Sequence, residues 1–313
     1  MPLDPLLASL VKQLPAPATE IDDPEQFRTA KRQLFDRLSG QYMEPGPAVA
    51  EVRLVRLPVK GGEIALRMYR PGGPGLHPIH LYLHGGAWIS GSIFEISTDV
   101  CCRERAAGAG QVVVAVNYRK APENRFPTGL EDCYAALLWA AEHAAQIGGR
   151  ADSISIGGVS AGANLAAALS AKVRDQGGPH IRLQILEVPV TDLVREFESH
   201  RQFGEGFALS ATTMALAKTA YVASPEQRSH PLASPLRATD FSGLPRTHVM
   251  TAEYDMLRDE GAAYAERLDE AGVEVSHTLG QGHVHTSMML TTALPSARQW
   301  RAEVLDVLRS SLP

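Results

Sequence analysis

The segment Gly158-Val159-Ser160-Ala161-Gly162 constrains this chain more than any other. It follows Ser153-Ile154-Ser155-Ile156-Gly157, a short run, β-branched at alternate positions, that predicts a strand. It precedes residues 163–175, an Ala/Leu-rich stretch stopped by Gly177-Gly178, which predicts a helix. A serine on a strand-to-helix corner needs small neighbours, because the turn is tight and its backbone strained. There the hydroxyl stands clear of the sheet edge, as in a nucleophile elbow.

The rest of the chain fits such a corner. Strands are predicted at 52–57, 64–69, 79–83, 112–116, 153–156, 183–190, 247–252 and 274–279. Helices separate the later ones, at 130–146, 163–175 and 258–271. This alternation predicts an α/β fold: a mostly parallel eight-stranded sheet, flanked by helices, with ligands beyond the carboxyl ends of its strands. At 313 residues it forms one domain. Leu3, Leu6, Leu7, Leu10, Val11 and Leu14 share one face of an N-terminal helix, capped by Asp4 and ended by Pro15. A second helix is predicted at 24–38, capped by Asp23 and closed by Gly40.

A serine hydroxyl is a weak nucleophile at neutral pH. It needs a base in hydrogen-bond reach, and a third group to orient that base. It also needs donors for the developing oxyanion, worth roughly 3–4 kcal/mol each. The predicted strand 79–83 runs into His84-Gly85-Gly86-Ala87-Trp88, whose glycine pair can expose N–H groups without Cβ interference. Gly85, Gly86, Ala87 and Ala161 are therefore the candidate oxyanion hole. For the acid, Asp255 stands where the strand 247–252 passes into a helix, and the same place suits an N-cap. Asp192, beyond the strand 183–190, is its rival. Glu253 and Asp259 read as surface or capping charges. For the base, the loop Gly280-Gln281-Gly282-His283-Val284-His285 offers two histidines, with His283 ahead of His285. The remaining histidines read as surface or packing residues. The chain order Ser160, Asp255, His283 is that of the α/β-hydrolases.

Together these segments resemble the hormone-sensitive-lipase-like esterases, bacterial family IV of the lipolytic enzymes. The resemblance rests on residues 84–88, on Asn117-Tyr118-Arg119-Lys120-Ala121-Pro122-Glu123 with Phe126-Pro127, and on residues 158–162, 255–261 and 280–283. It implies an α/β-hydrolase fold with a catalytic triad of Ser160, Asp255 and His283. The family's histidine precedes a small residue and often Phe, so His283 takes the base's place and His285 that of Phe. Gly86, Ala87 and Ala161 take the oxyanion positions. A helical cap is implied from about 1–45 and about 195–235, with Trp88, Phe203, Phe207 and Tyr221 as candidate pocket walls. The implied activity is that of a serine carboxylesterase, cleaving short- to medium-chain acyl esters through an acyl-enzyme. Homodimers are common in the family and are one expected assembly. Ala87 departs from a usual Gly, Val159 from Asp or Thr, Lys120 from Leu and Met256 from Pro; none of these removes a catalytic atom. Two alternatives share the fold: an amidase or arylformamidase with the same triad, and a small-ligand receptor without catalysis. Retention of Ser160, Asp255 and His283 speaks against the receptor.

A net charge of -5 carries no basic footprint for nucleic acid. No apolar run approaches the ~20 residues of a membrane span. Three cysteines, among them the vicinal Cys101-Cys102, form no disulfide framework and suit a reducing, cytoplasmic setting. The start has Asp4 and no basic residue, against a signal peptide. No Cys/His cluster has zinc spacing, and Gly280-Gln281-Gly282 lacks the setting of a nucleotide loop. Neither metal nor cofactor is expected.

Overall fold

The structure is a computed structural model that describes residues 3–310. In chain order its elements are α1 (Pro5–Lys12), α2 (Pro24–Tyr42), β1 (Glu51–Val59), β2 (Gly62–Arg70), β3 (His77–Leu83), α3 (Ile96–Ala109), β4 (Val112–Asn117), α4 (Thr128–Glu142), β5 (Gly149–Val159), α5 (Ala161–Gln176), β6 (Ile181–Glu187), α6 (Glu198–Phe203), α7 (Ala211–Tyr221), β7 (Arg246–Tyr254), α8 (Arg258–Glu270), β8 (Val275–Val284) and α9 (Pro295–Ser310). The strands make one sheet in the order β1-β2-β4-β3-β5-β6-β7-β8. Its first two joins are antiparallel and the others parallel.

Parallel neighbours need crossovers, which bury the sheet on both faces. The central strand β4 is accordingly a run of Val and Ala buried from Val112 to Val116. On one face Leu81, Leu83, Val114 and Ile156 pack with Leu130 and Leu137 of α4, Leu165 and Leu169 of α5, and Leu268 of α8. On the other, Tyr82, Val113 and Ala115 meet Val100, Cys102 and Ala106 of α3. There too, Leu183, Ile185 and Met250 meet Trp300, Val304 and Leu308 of α9.

All eight expected strands are present, and the differences lie at their ends. β6 stops at Glu187, because Val188 takes φ +43° and breaks the extended run. β8 continues through Val284, so Gly280, Gln281, Gly282 and His283, expected as loop, belong to a strand. α2 runs past Gly40, which stays out of the left-handed conformation that a helix-ending glycine adopts. Helices α3, α6, α7 and α9 lie outside the helices expected from the sequence. Asp4 caps α1 by accepting from the Leu6 N–H at 2.8 Å, and Asp23 caps α2 through the N–H groups of Glu25 and Gln26. Leu7 of α1 is buried against Val284, Leu294 and Ala297, next to the end of β8.

Candidate active site

Ser160 sits between β5 and α5 at φ +57° and ψ -117°, a conformation L-residues rarely adopt. The flanking glycines make the corner possible. A Cβ on Gly158 or Gly162 would lie 2.4 or 2.0 Å from the Leu83 carbonyl oxygen, so the corner rides directly on the end of β3. The Ser160 N–H donates to the Glu187 carbonyl at 2.8 Å, anchoring the corner to β6.

His285 lies between Asp255 and Ser160. Its Nδ1 is 2.7 Å from Asp255 Oδ2 and its Nε2 is 3.0 Å from Ser160 Oγ. A carboxylate oxygen accepts, so Nδ1 carries the imidazole proton and Nε2 is left to accept from the serine hydroxyl. The other oxygen of Asp255 accepts from the Leu257 N–H at 3.0 Å, holding the carboxylate at the entry to α8. All three side chains are buried.

His283, the expected base, is elsewhere; this corrects the sequence reading. Its Nδ1 contacts Ser287 Oγ at 2.7 Å and its ring lies 5.4 Å from that of Trp300. The reason is where the strand ends. His283 is still in strand β8, in the irregular stretch between the Ala252–Gly280 and Tyr254–Val284 pairs, whereas His285 follows the last strand residue and enters a turn. That turn has Thr286 at φ +65° and swings His285 over to the serine. Val284 and Thr286 are similar in size and both β-branched, so the residue after each histidine does not separate the two in sequence.

The rival acid Asp192 is also buried, but it accepts from the N–H groups of Val194 and Arg195 and pairs with Arg237. Glu253, expected as a surface or capping charge, accepts from the Gly282 N–H at 2.6 Å and ties the ends of β7 and β8 together.

On the other side of the serine, Gly86, Ala87 and Trp88 all have positive φ. Their turn is closed by the Gly86 carbonyl, which accepts from Ile89 N, Ser90 N and Ser90 Oγ. Among the described residues the N–H groups of Gly86 and Ala87 have no acceptor. Ala161 opens α5, where first-turn N–H groups lack intrahelical partners. Gly85 lies against the corner, its missing Cβ 3.7 Å from that of Ser160. Below the loop, His84 stacks on Tyr118 at 4.3 Å and donates from Nδ1 to the Gly85 carbonyl at 2.7 Å. Burial, with the charge of Lys120, pulls the His84 pKa down to about 3 and keeps it neutral.

The expected pocket walls divide into two groups. Trp88 and Tyr221 stack at 4.3 Å inside the core, and Trp88 donates to Asn164 Oδ1 at 3.2 Å. Phe203 and Phe207 are half-buried and cluster with Tyr254, the residue before Asp255.

Lys120 donates to Asn117 Oδ1 and the Tyr118 carbonyl, and burial, helped by Arg28, pushes its pKa down to about 8. At pH 7 both the folded and the unfolded chain hold this proton, so the native state bears the whole desolvation cost. Above pH 8 only the folded chain releases it, and wild-type stability gains as pH rises toward the unfolded value. Lys120→Met is therefore expected to raise unfolding free energy by about 1–2 kcal/mol at pH 7, with the gap closing by pH 10. Urea titrations at both pH values test this, and an unchanged gap would refute it.

Among the described residues no cluster of His, Cys, Asp or Glu could hold a metal ion, and no helix is long and apolar enough to cross a membrane.

Residues 80–289 match the model of a family with the alpha/beta hydrolase fold. The chain is 33% identical to the carboxylesterase NlhH of Mycobacterium tuberculosis, over 99% of this chain and 96% of that one. It is 33% identical to an ethyl acetate hydrolase of Pseudomonas putida, over 96% and 93%. An esterase structure from Pyrobaculum calidifontis superposes with a TM-score of 0.92 at 33% identity, covering 99% of each chain.

Proposed function

This chain belongs to the hormone-sensitive-lipase-like esterases of the α/β-hydrolase fold and is a carboxylic-ester hydrolase, and we propose that it works by a serine acyl-enzyme mechanism. The observation that carries this reading is the unbroken hydrogen-bond line from Asp255 through His285 to Ser160. Ser160 Oγ attacks the ester carbonyl as His285 Nε2 takes its proton. Asp255 holds the tautomer and stabilises the imidazolium. The N–H groups of Gly86, Ala87 and Ala161 receive the oxyanion. His285 then protonates the departing alcohol, and water repeats the sequence to free the acid. The substrates are short- to medium-chain acyl esters, admitted under a cap built from residues 3–45 and 195–235 within one domain. The half-buried Phe203 and Phe207 beside the Asp255 strand end support an acyl pocket of limited depth. A cytoplasmic monomer or homodimer needs no cofactor for this chemistry.

The test is hydrolysis of p-nitrophenyl esters from acetate to palmitate, beside the matching anilides. Rates should peak at short chains and fall steeply at long ones, with anilides slower by orders of magnitude. Faster anilide or N-formyl cleavage would move the assignment to an amidase. No turnover of any substrate would favour a receptor.

A further inference from the structure

His283 is buried and touches no reacting atom, yet its surroundings are built closely around it. The ring rests beside Trp300 and over Gly280, where a Cβ would fall 2.4 Å from the indole and 3.2 Å from His283 Cδ2. Its Nδ1 meets Ser287 Oγ at 2.7 Å, and the same hydroxyl accepts from the Val284 N–H at 3.1 Å and donates to the Val284 carbonyl at 2.9 Å. A hydroxyl has one proton, so with that proton on the carbonyl, His283 Nδ1–H is a donor to Ser287. These bonds close a ring around residues 284–287, the turn that carries His285 and the left-handed Thr286.

We propose that His283 and Ser287 form a positioning pair that fixes the turn presenting His285, a reading that rests on His285 being the base. A serine side chain can occupy several rotamers. The imidazole donor selects the one that clamps Val284 from both its N–H and its carbonyl. Freed from that clamp, the turn need move only a fraction of an ångström to lengthen the His285–Ser160 contact. A misplacement of about 1 Å costs up to about a hundredfold in rate, and a smaller one proportionally less. Burial lowers the pKa of His283 by more than a main-chain hydrogen bond at Ser296 raises it, which favours a neutral imidazole.

Michaelis kinetics on p-nitrophenyl butyrate test the pair in His283→Ala, Ser287→Ala, the double variant, and His283→Asn, whose amide can donate where Nδ1 stood. Each alanine variant should lose roughly tenfold to a hundredfold in kcat with KM little changed. The double variant should lose no more than the worse single one, and His283→Asn should recover most of the rate. Wild-type kcat in both folded alanine variants, or losses that simply add, would overturn the pairing and leave the base assignment standing. A loss near 10⁴-fold in His283→Ala, with turnover kept in His285→Ala, would overturn the base assignment itself. Should circular dichroism show His283→Ala unfolded, Ser287→Ala and His283→Asn make the same comparison.

Discussion

Alanine at position 285 is expected to lower kcat/KM for a short-chain p-nitrophenyl ester by about 10⁴-fold or more, and alanine at Ser160 by a similar factor. Without His285 the Ser160 hydroxyl loses its imidazole acceptor and Asp255 loses its imidazole partner. Without Ser160 the proposed acyl-enzyme cannot form. Because the two act as one unit, the double variant should be no slower than either single one. On the proposed mechanism, the activity left above the solvent rate would come from the N–H groups of Gly86, Ala87 and Ala161. Binding is not expected to suffer much, so the loss should fall on kcat, with circular dichroism unchanged. Retention of more than a tenth of wild-type kcat/KM by a folded His285→Ala enzyme would rule out the proposed line of proton transfer.

The second large effect is on stability. Arg105 of α3 and Glu187 at the end of β6 form an ion pair with both side chains buried, and the second carboxylate oxygen accepts from Trp300 Nε1 at 2.9 Å. Burial opposes the Arg105 charge, but Glu187 beside it more than compensates, and the guanidinium also lies over the Tyr82 ring at 4.8 Å. Glu187→Ala would leave an uncompensated charge and an unpaired indole N–H within the sheet–helix layer. We expect the unfolding free energy to drop by about 3–5 kcal/mol, read from urea midpoints at constant slope. Exchanging both partners, as Arg105→Met with Glu187→Leu, should recover the part of that loss due to the unpaired charge, since a buried pair is often matched by apolar packing, while the Trp300 indole N–H stays without its acceptor. The bond from Ser160 N–H to the Glu187 carbonyl is main-chain and survives either change. The folded fraction should therefore keep its turnover. A midpoint unmoved in Glu187→Ala would show that the pair contributes nothing to the fold.

Much of this molecule could be read locally. The apolar runs from Val112 to Val116 and from Ile154 to Ile156 are buried strands because alternating or continuous β-branched residues suit a sheet covered on both faces. The nucleophile corner was legible because a serine held at positive φ, pressed against the end of β3, leaves room for glycine alone at positions 158 and 162. Asp255 could be placed because a carboxylate follows an apolar strand just before a helix. These signals act within a few residues, where backbone sterics and side-chain period dominate.

Other features depended on contacts far apart in sequence. Helix α3 is buried on several sides, with Ser97, Cys102 and Arg105 as enclosed as Val100, and so shows no clean apolar stripe. Glu187 looks like an exposed charge until Arg105 and Trp300 are brought to it. The choice between two histidines, two residues apart in identical local chemistry, was made by the sheet. The β7–β8 register shifts between Ala252 and Tyr254, and the ladder then holds through Val284. His283 therefore stays on the strand against Trp300, while His285 is turned toward Ser160. By itself the sequence determined the strands, the serine corner and the position of the Asp255 carboxylate at a strand end, because each follows from local sterics. Only the tertiary structure decided which imidazole meets the serine, because that depends on where one strand stops pairing with its neighbour.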